Sequence, residues 1–106
     1  MSVTHPAHRG SIALEDGRIL AHERFPGEQF VLRIAAPKCA ARAKPGSFAH
    51  LTVDDGIPMR RPLSIMRANA AEGWIDILYK IVGPGLAALS RRQTGETLSV
   101  LGPIGQ

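Results

Sequence analysis

Turn residues recur through this chain at short, regular intervals, and that punctuation limits the fold more than any other feature. Asp16-Gly17, Pro26-Gly27, Pro45-Gly46, Asp54-Asp55-Gly56, Glu72-Gly73, Gly83-Pro84-Gly85, Gly95 and Gly102-Pro103 supply positive or preset φ angles. The stretches between them are short and alternate apolar with polar. "RILAHERF" places Ile19, Ala21 and Phe25 on one side, and "QFVLRIAA" groups Phe30, Leu32 and Ile34. "WIDILYKI" sets Ile75, Ile77 and Tyr79 against Trp74, Leu78 and Lys80, while "SFAHLTV" and "TLSVLG" share the same length and style. Short strands at this spacing predict an all-β antiparallel sandwich or small barrel.

One segment departs from the period of two. "PGLAALSRRQTG" has Leu86 and Leu89 three apart and a glycine stop, the pattern of a short helix of about two turns with Pro84 near its start and Gly95 after its end. The unpaired amides of its first turn, about Gly85 to Ala88, form an anion site reinforced by the helix dipole. Gly83, Gly85 and Ala88 also fit a G-x-G-x-x-A dinucleotide pattern. That fingerprint requires a parallel βαβ unit and an acidic residue after the next strand. Here the helix is too short and the next strand, "LSVLG", has no acid.

"RRPLS", Arg60 to Ser64, raises a second question of anion binding. Planar guanidinium forks bind pyrophosphate in bidentate fashion. Pro62 fixes the backbone, and the small Ser64 leaves room for a flat ring while offering a hydrogen bond. On strand alternation Arg61 and Leu63 face one way, Arg60 and Pro62 the other. The competing reading is a strand start with two solvated arginines.

Composition narrows the function classes. The chain has 106 residues, enough for one domain with one core. Its formal charge of +4 comes from 13 Lys+Arg against 9 Asp+Glu, but the basic residues are scattered apart from Arg60-Arg61 and Arg91-Arg92. One Trp, one Tyr and three Phe are few for a surface that stacks bases, so no nucleic-acid partner is expected. No apolar run reaches membrane-spanning length, and "MSVTHPAHRG" has no apolar signal core. With Cys39 the only cysteine, a cytoplasmic setting is expected, without an internal disulfide or a four-cysteine cluster. His5, His8, His22 and His50 lack ligand-like spacing, and Asp54-Asp55-Gly56 lacks the later carboxylates of a calcium loop, so no metal is expected.

Taken in order, "AKPGSFAHLTV", "RRPLSI", "WIDILYKIVGPGLAALS" and "GETLSVLGPIG" resemble the flavin-binding domain of the ferredoxin–NADP reductase superfamily. The nearest pattern is that of dihydroorotate dehydrogenase electron-transfer subunits, K-P-G-x-F, R-R-P-x-S-I, L-Y-[KR]-x-x-G-x-G-T and G-P-x-G. The resemblance covers roughly Gly17 to Gln106. It implies a six-stranded antiparallel Greek-key barrel with one short helix over residues 11–106; residues 1–10, with two His, one Pro and several small polar residues, are expected on composition to be loose or extended. It also implies FAD as cofactor, a partner redox domain or subunit, and a place in pyrimidine biosynthesis. By position, Arg61 would bind the pyrophosphate and Ser64 would lie beside the isoalloxazine. Pro62 and Leu63 share that segment, Leu63 where many relatives carry a stacking aromatic. Leu78, Tyr79 and Lys80 would line the ribityl and adenine-side path, and Gly85 and Leu86 the phosphate turn.

Two departures from the pattern bear on function. Leu86 stands where relatives carry a hydroxyl, and a hydrogen bond to a charged group is worth about 1.5–3 kcal/mol. After "GPIGQ", relatives continue into a nicotinamide-binding domain and a cysteine-rich iron–sulfur segment; these 106 residues contain neither. By this reading they are an oxidoreductase component that does not complete hydride transfer alone. Residues near Leu101, Pro103 and Ile104 are expected to present an apolar docking face and to favour a homodimer. Two further readings stay open from the sequence: a barrel with lost or weak flavin binding that serves as an interaction module, and a basic oligonucleotide-binding barrel.

Overall fold

Every period-two run becomes a strand in the computed structural model, which describes residues 12–54 and 56–105. The strands are β1 (Ala13–Phe25), β2 (Gln29–Ala35), β3 (Phe48–Asp54), β4 (Ile57–Asn69), β5 (Trp74–Lys80) and β6 (Thr97–Ile104). They close into a barrel in the order β1-β2-β5-β4-β3-β6, and every neighbouring pair is antiparallel. Two connections cross over instead of forming hairpins, and each carries a helix: α1 (Pro37–Arg42) between β2 and β3, and α2 (Gly83–Ser90) between β5 and β6. The antiparallel Greek-key barrel expected from the sequence is therefore present, with one helix more than expected among the described residues. The expectation for residues 1–10 lies outside the described residues.

The additional helix owes its start to a distant residue. Pro37 occupies the first turn, where its missing N–H costs nothing. Glu15 on β1 reaches across to accept hydrogen bonds from the backbone N–H groups of Lys38 (3.2 Å) and Cys39 (2.8 Å). Nothing local in "PKCAAR" announces that cap. Cys39 is fully buried; burial, with a smaller contribution from the Glu15 charge, pushes its thiol up to about 12.

Inside the barrel, Leu32 and Ile34 of β2, Leu51 and Val53 of β3, Ile75 and Ile77 of β5 and Val100 of β6 are fully buried. Burying each such side chain contributes about 1.5–3 kcal/mol relative to exposure. Leu86 and Leu89 of α2 join the same core, which fixes that helix against the barrel. Gly17 marks the tightest strand approach: a Cβ there would lie 2.8 Å from the Ala35 carbonyl oxygen, so only glycine fits.

Two sequence expectations are corrected. Ala21 does not share the inward side with Ile19, because the β1–β2 register shifts between Ile19 and Ala21. The bulge turns His22 toward fully buried Leu32 instead, and Phe25 is exposed. Gly95 does not stop the helix, which ends at Ser90, whose hydroxyl donates to the Ala87 carbonyl oxygen (2.6 Å). Gly95 serves the turn into β6 at φ 96° and donates its N–H to the Ile19 carbonyl oxygen (2.9 Å).

On the outer face, ionic straps tie strands together. Asp76 of β5 is almost wholly buried beneath Arg33 of β2 and Arg67 of β4. Arg33 donates from Nε to Oδ1 (2.8 Å) and from Nη2 to Oδ2 (2.9 Å), while its guanidinium lies 3.5 Å from the centre of the Trp74 ring. Burial alone would raise the Asp76 carboxyl, but the hydrogen bonds and charges of both arginines outweigh it and hold the group below its ordinary range.

Candidate functional site

The two adjacent arginines of "RRPLS" part company in the structure, as strand alternation requires. Arg60 lies along the outer face. It donates to the carbonyl oxygens of His50 on β3 (3.2 Å) and Ser99 on β6 (3.3 Å), and to Ser99 Oγ (2.7 Å). It is a strap across three strands. Arg61 leaves the opposite face of β4, shared with buried Leu63 and Ile65, and reaches the start of α2.

At that start the guanidinium fills the space a side chain on Gly85 would occupy. A Cβ on Gly85 would lie 2.7 Å from Arg61 Nε, 3.0 Å from Nη2 and 3.2 Å from Cζ. Gly85 is thus required for contact with Arg61, and its own φ is ordinary. Among the described residues, Arg61 Nε is a buried side-chain nitrogen without a hydrogen-bond partner. Such a group is rare in folded proteins and calls for an explanation. The α2 start is also bare: Val82 at the N-cap makes no side-chain cap, Pro84 has no N–H, and no acidic residue sits in the first turn. Gly83, at φ 79°, makes the turn from β5 into the helix. Cation, backbone amides and the positive end of the dipole therefore converge, the chemistry of a phosphate cradle. Both features fit the phosphate-bearing part of a flavin dinucleotide.

The remaining sequence-derived residues divide between the two faces of the sheet. Pro62 and Ser64 are exposed on the outer face, whereas Leu63 is 9% exposed and belongs to the core. Leu78 (45% exposed) and Lys80 lie on the outer face of β5. Tyr79, between them, points inward and is buried, which pushes its hydroxyl well above the usual tyrosine range. Leu86 is buried in the core, so its side chain does not belong to the cradle. Of the residues expected on a docking face, Pro103 is buried and Leu101 and Ile104 are half-buried.

Phe48, which the sequence reading did not single out, completes the outer surface. It is 40% exposed and pairs with Ser64 across β3 and β4. The Ile65–Ile77 pairing sets Ser64 alongside Leu78 one step along the strands. The result is an outer row, Phe48–Ser64–Leu78, in which two exposed apolar side chains flank a hydroxyl. The signal was present in "KPGSF", whose phenylalanine opens the strand beside "RRPLS". Strand rise places Ser64 about 10 Å from Arg61 along β4.

His22 is the other residue whose place the sequence did not disclose. Its Nε2 lies 2.7 Å from Tyr79 Oη and its Nδ1 2.9 Å from the Arg92 carbonyl oxygen. Tyr79 stacks on Phe30, ring centres 5.3 Å apart at 12°, and His22 is tilted against both rings.

No protein-family model matches the chain. Among curated proteins it is similar to the electron transfer subunit of dihydroorotate dehydrogenase B (NAD(+)) from Desulforamulus reducens, 30% identical over 94 residues. The counterpart from Streptococcus pneumoniae is 36% identical over 95 residues. These alignments cover 86% and 89% of this chain but 36% and 37% of the relatives, so the chain spans little more than a third of their length. Among solved structures, an NADH-dependent reduced ferredoxin-NADP oxidoreductase superposes with a TM-score of 0.79 and 26% identity, covering 85% of this chain and 33% of that one. A ferredoxin reductase of carbazole 1,9a-dioxygenase, at TM-score 0.74 and 20% identity over 89% of this chain and 30% of its own, shares the fold.

Proposed function

As a homologue of the dihydroorotate dehydrogenase B electron transfer subunits with the barrel of the ferredoxin reductases, this chain is, we propose, an FAD-binding electron-transfer module. The observation that carries the proposal is the cradle in which Arg61 lies against Gly85 with its Nε buried and unpartnered. Bound flavin supplies the redox chemistry, and the protein supplies binding, orientation and shielding. Arg61 and the first-turn amides of α2 would hold the pyrophosphate. Ser64 would hydrogen-bond the ring system, Phe48 and Leu78 would keep water from one of its faces, and Lys80 would line the path between ring and phosphate. A partner redox domain or subunit would meet the uncovered flavin edge. Without that partner, the exposed Phe48 and half-buried Leu101 and Ile104 would favour a homodimer. The same reading puts the chain in the cytoplasm and in pyrimidine biosynthesis. Among the described residues no helix is long and apolar enough to cross a membrane.

One observation favours a second reading. Leu86 spends its side chain on the core, so the cradle lacks a side-chain hydroxyl, and a barrel of this kind could serve as an interaction module without a flavin. The basic oligonucleotide-binding alternative loses support, because Arg33 and Arg67 are engaged with Asp76, Arg60 with Ser99 and Arg92 with Glu96. Titrating the purified chain with FAD and following flavin fluorescence tests the proposal. Saturable quenching that Arg61→Ala weakens is the expected result. A colourless protein that leaves FAD fluorescence unchanged would overturn it in favour of the second reading.

A further inference from the structure

One imidazole holds both ends of the helix that forms the cradle. Tyr79, bonded to His22 Nε2, sits on β5 just before the chain turns through Gly83 into α2. Arg92, whose carbonyl oxygen receives His22 Nδ1, lies in the turn just after α2 ends at Ser90. A carbonyl oxygen can only accept, so Nδ1 carries a hydrogen. In the neutral ring Nε2 then accepts from the Tyr79 hydroxyl. The β1 bulge brings the ring there: with strict alternation after Ile19, Ala21 would face inward and His22 would face solvent. Contacts with Phe30 and Tyr79 fix the plane of the ring. His22 is therefore oriented at both nitrogens and on its faces, far more than a surface histidine needs.

We infer that His22 is a positioning residue for the phosphate cradle. By tying the strand that enters α2 to the turn that leaves it, His22 keeps the first-turn amides and Gly85 against Arg61. It thereby sets the affinity for the phosphorylated part of the ligand without touching that ligand. This inference rests on the flavin reading of the α2 turn, and its test separates the two.

The first arm needs no ligand. Amide hydrogen exchange is compared between wild type, His22→Phe and Tyr79→Phe. Exchange at Leu86 to Leu89 should accelerate about tenfold in His22→Phe, the scale of one lost buried hydrogen bond, while amides of the β2–β5 pair keep wild-type rates. Unchanged α2 exchange in both variants would overturn the clamp. The second arm titrates FAD and riboflavin, which lacks phosphate. His22→Phe should weaken FAD about tenfold and leave riboflavin unchanged, whereas equal losses would show a merely structural role and overturn the inference. If wild type binds neither flavin, the flavin reading and the ligand half of this inference fall together, and the exchange arm still decides the clamp. Should His22→Phe fail to fold, Tyr79→Phe removes one hydroxyl from the same tie and should move both readouts in the same direction.

Discussion

Replacing Gly85 with alanine should separate folding from binding. In a helix, alanine is favoured over glycine by about 0.5–1 kcal/mol, and Gly85 has no positive φ that would offset this. The added methyl, however, would lie 2.7 Å from Arg61 Nε and 3.0 Å from Nη2. Those atoms are the far end of a flexible side chain, so the guanidinium swings aside and the barrel stays in place. The cost falls on the phosphate, which loses a charge-assisted hydrogen bond worth about 1.5–3 kcal/mol. At about 1.4 kcal/mol per decade, FAD should bind roughly 10- to 150-fold more weakly. Fluorescence titration gives the affinity, and thermal unfolding without ligand gives the stability. The melting temperature should hold or rise by a few degrees while the dissociation constant climbs. An FAD affinity within about twofold of wild type, or a substantial fall in melting temperature, would refute the reasoning: the first by removing Arg61 from the ligand, the second by showing it wedged in the core.

The two arginines of "RRPLS" should behave differently. Arg61→Ala should weaken FAD with little change in stability, whereas Arg60→Ala should lower the melting temperature through its lost bonds to His50 and Ser99; paired titrations and melts check this. Leu86→Thr removes part of a core side chain and should cost about 1–3 kcal/mol in denaturant unfolding, even if its hydroxyl gains a phosphate contact in FAD titration. Because the fold depresses the Asp76 carboxyl, its contribution is present above the unfolded value of about 3.9 and fades as pH falls through the lower folded value. The gap in melting temperature between wild type and Asp76→Asn should thus be full at neutral pH and shrink below about pH 4. With its thiol raised to about 12 by burial, Cys39 should resist alkylation at pH 8 in the native protein and react once it unfolds, as mass spectrometry would show.

The parts of this molecule that depend on local pattern were legible in the sequence. Turn punctuation and alternation announced the strands, and they assigned Ile75, Ile77 and Tyr79 to one face and Leu78 and Lys80 to the other. Alternation across "RRPLS" separated Arg60 from Arg61. What escaped depends on partners distant in the chain. A bulge depends on how β1 registers against β2, so nothing in "RILAHERF" discloses that His22 turns inward. The cap of α1 comes from Glu15, and the neighbours that keep Asp76 charged under cover, Arg33 and Arg67, lie on two other strands. Gly95 looked like a helix stop because glycine reads alike at a helix end and in a turn; the backbone cap at Arg91, with the Arg91 and Arg92 N–H groups donating to the Ala88 and Leu89 carbonyl oxygens, shows where the helix ends. Leu86 sat at a motif position defined by a hydroxyl, and only the packed core shows what the leucine gains there.

The pairing of the first and last strands reaches beyond the site. Ala13 lies opposite Gly102 and Leu14 opposite Leu101, so the chain enters β1 beside the point where it leaves β6. Topologically the barrel is a bead whose two strings emerge from the same hole. It can be spliced into a longer polypeptide as a cassette, since whatever precedes residue 13 and whatever follows residue 104 start from neighbouring positions and need no detour around the body. Gly102, whose added Cβ would lie 3.0 Å from the Phe48 carbonyl oxygen, sits in that same doorway, against the strand that carries Phe48. A rearrangement of the segment leaving the barrel would therefore press on the strand that carries one end of the outer row.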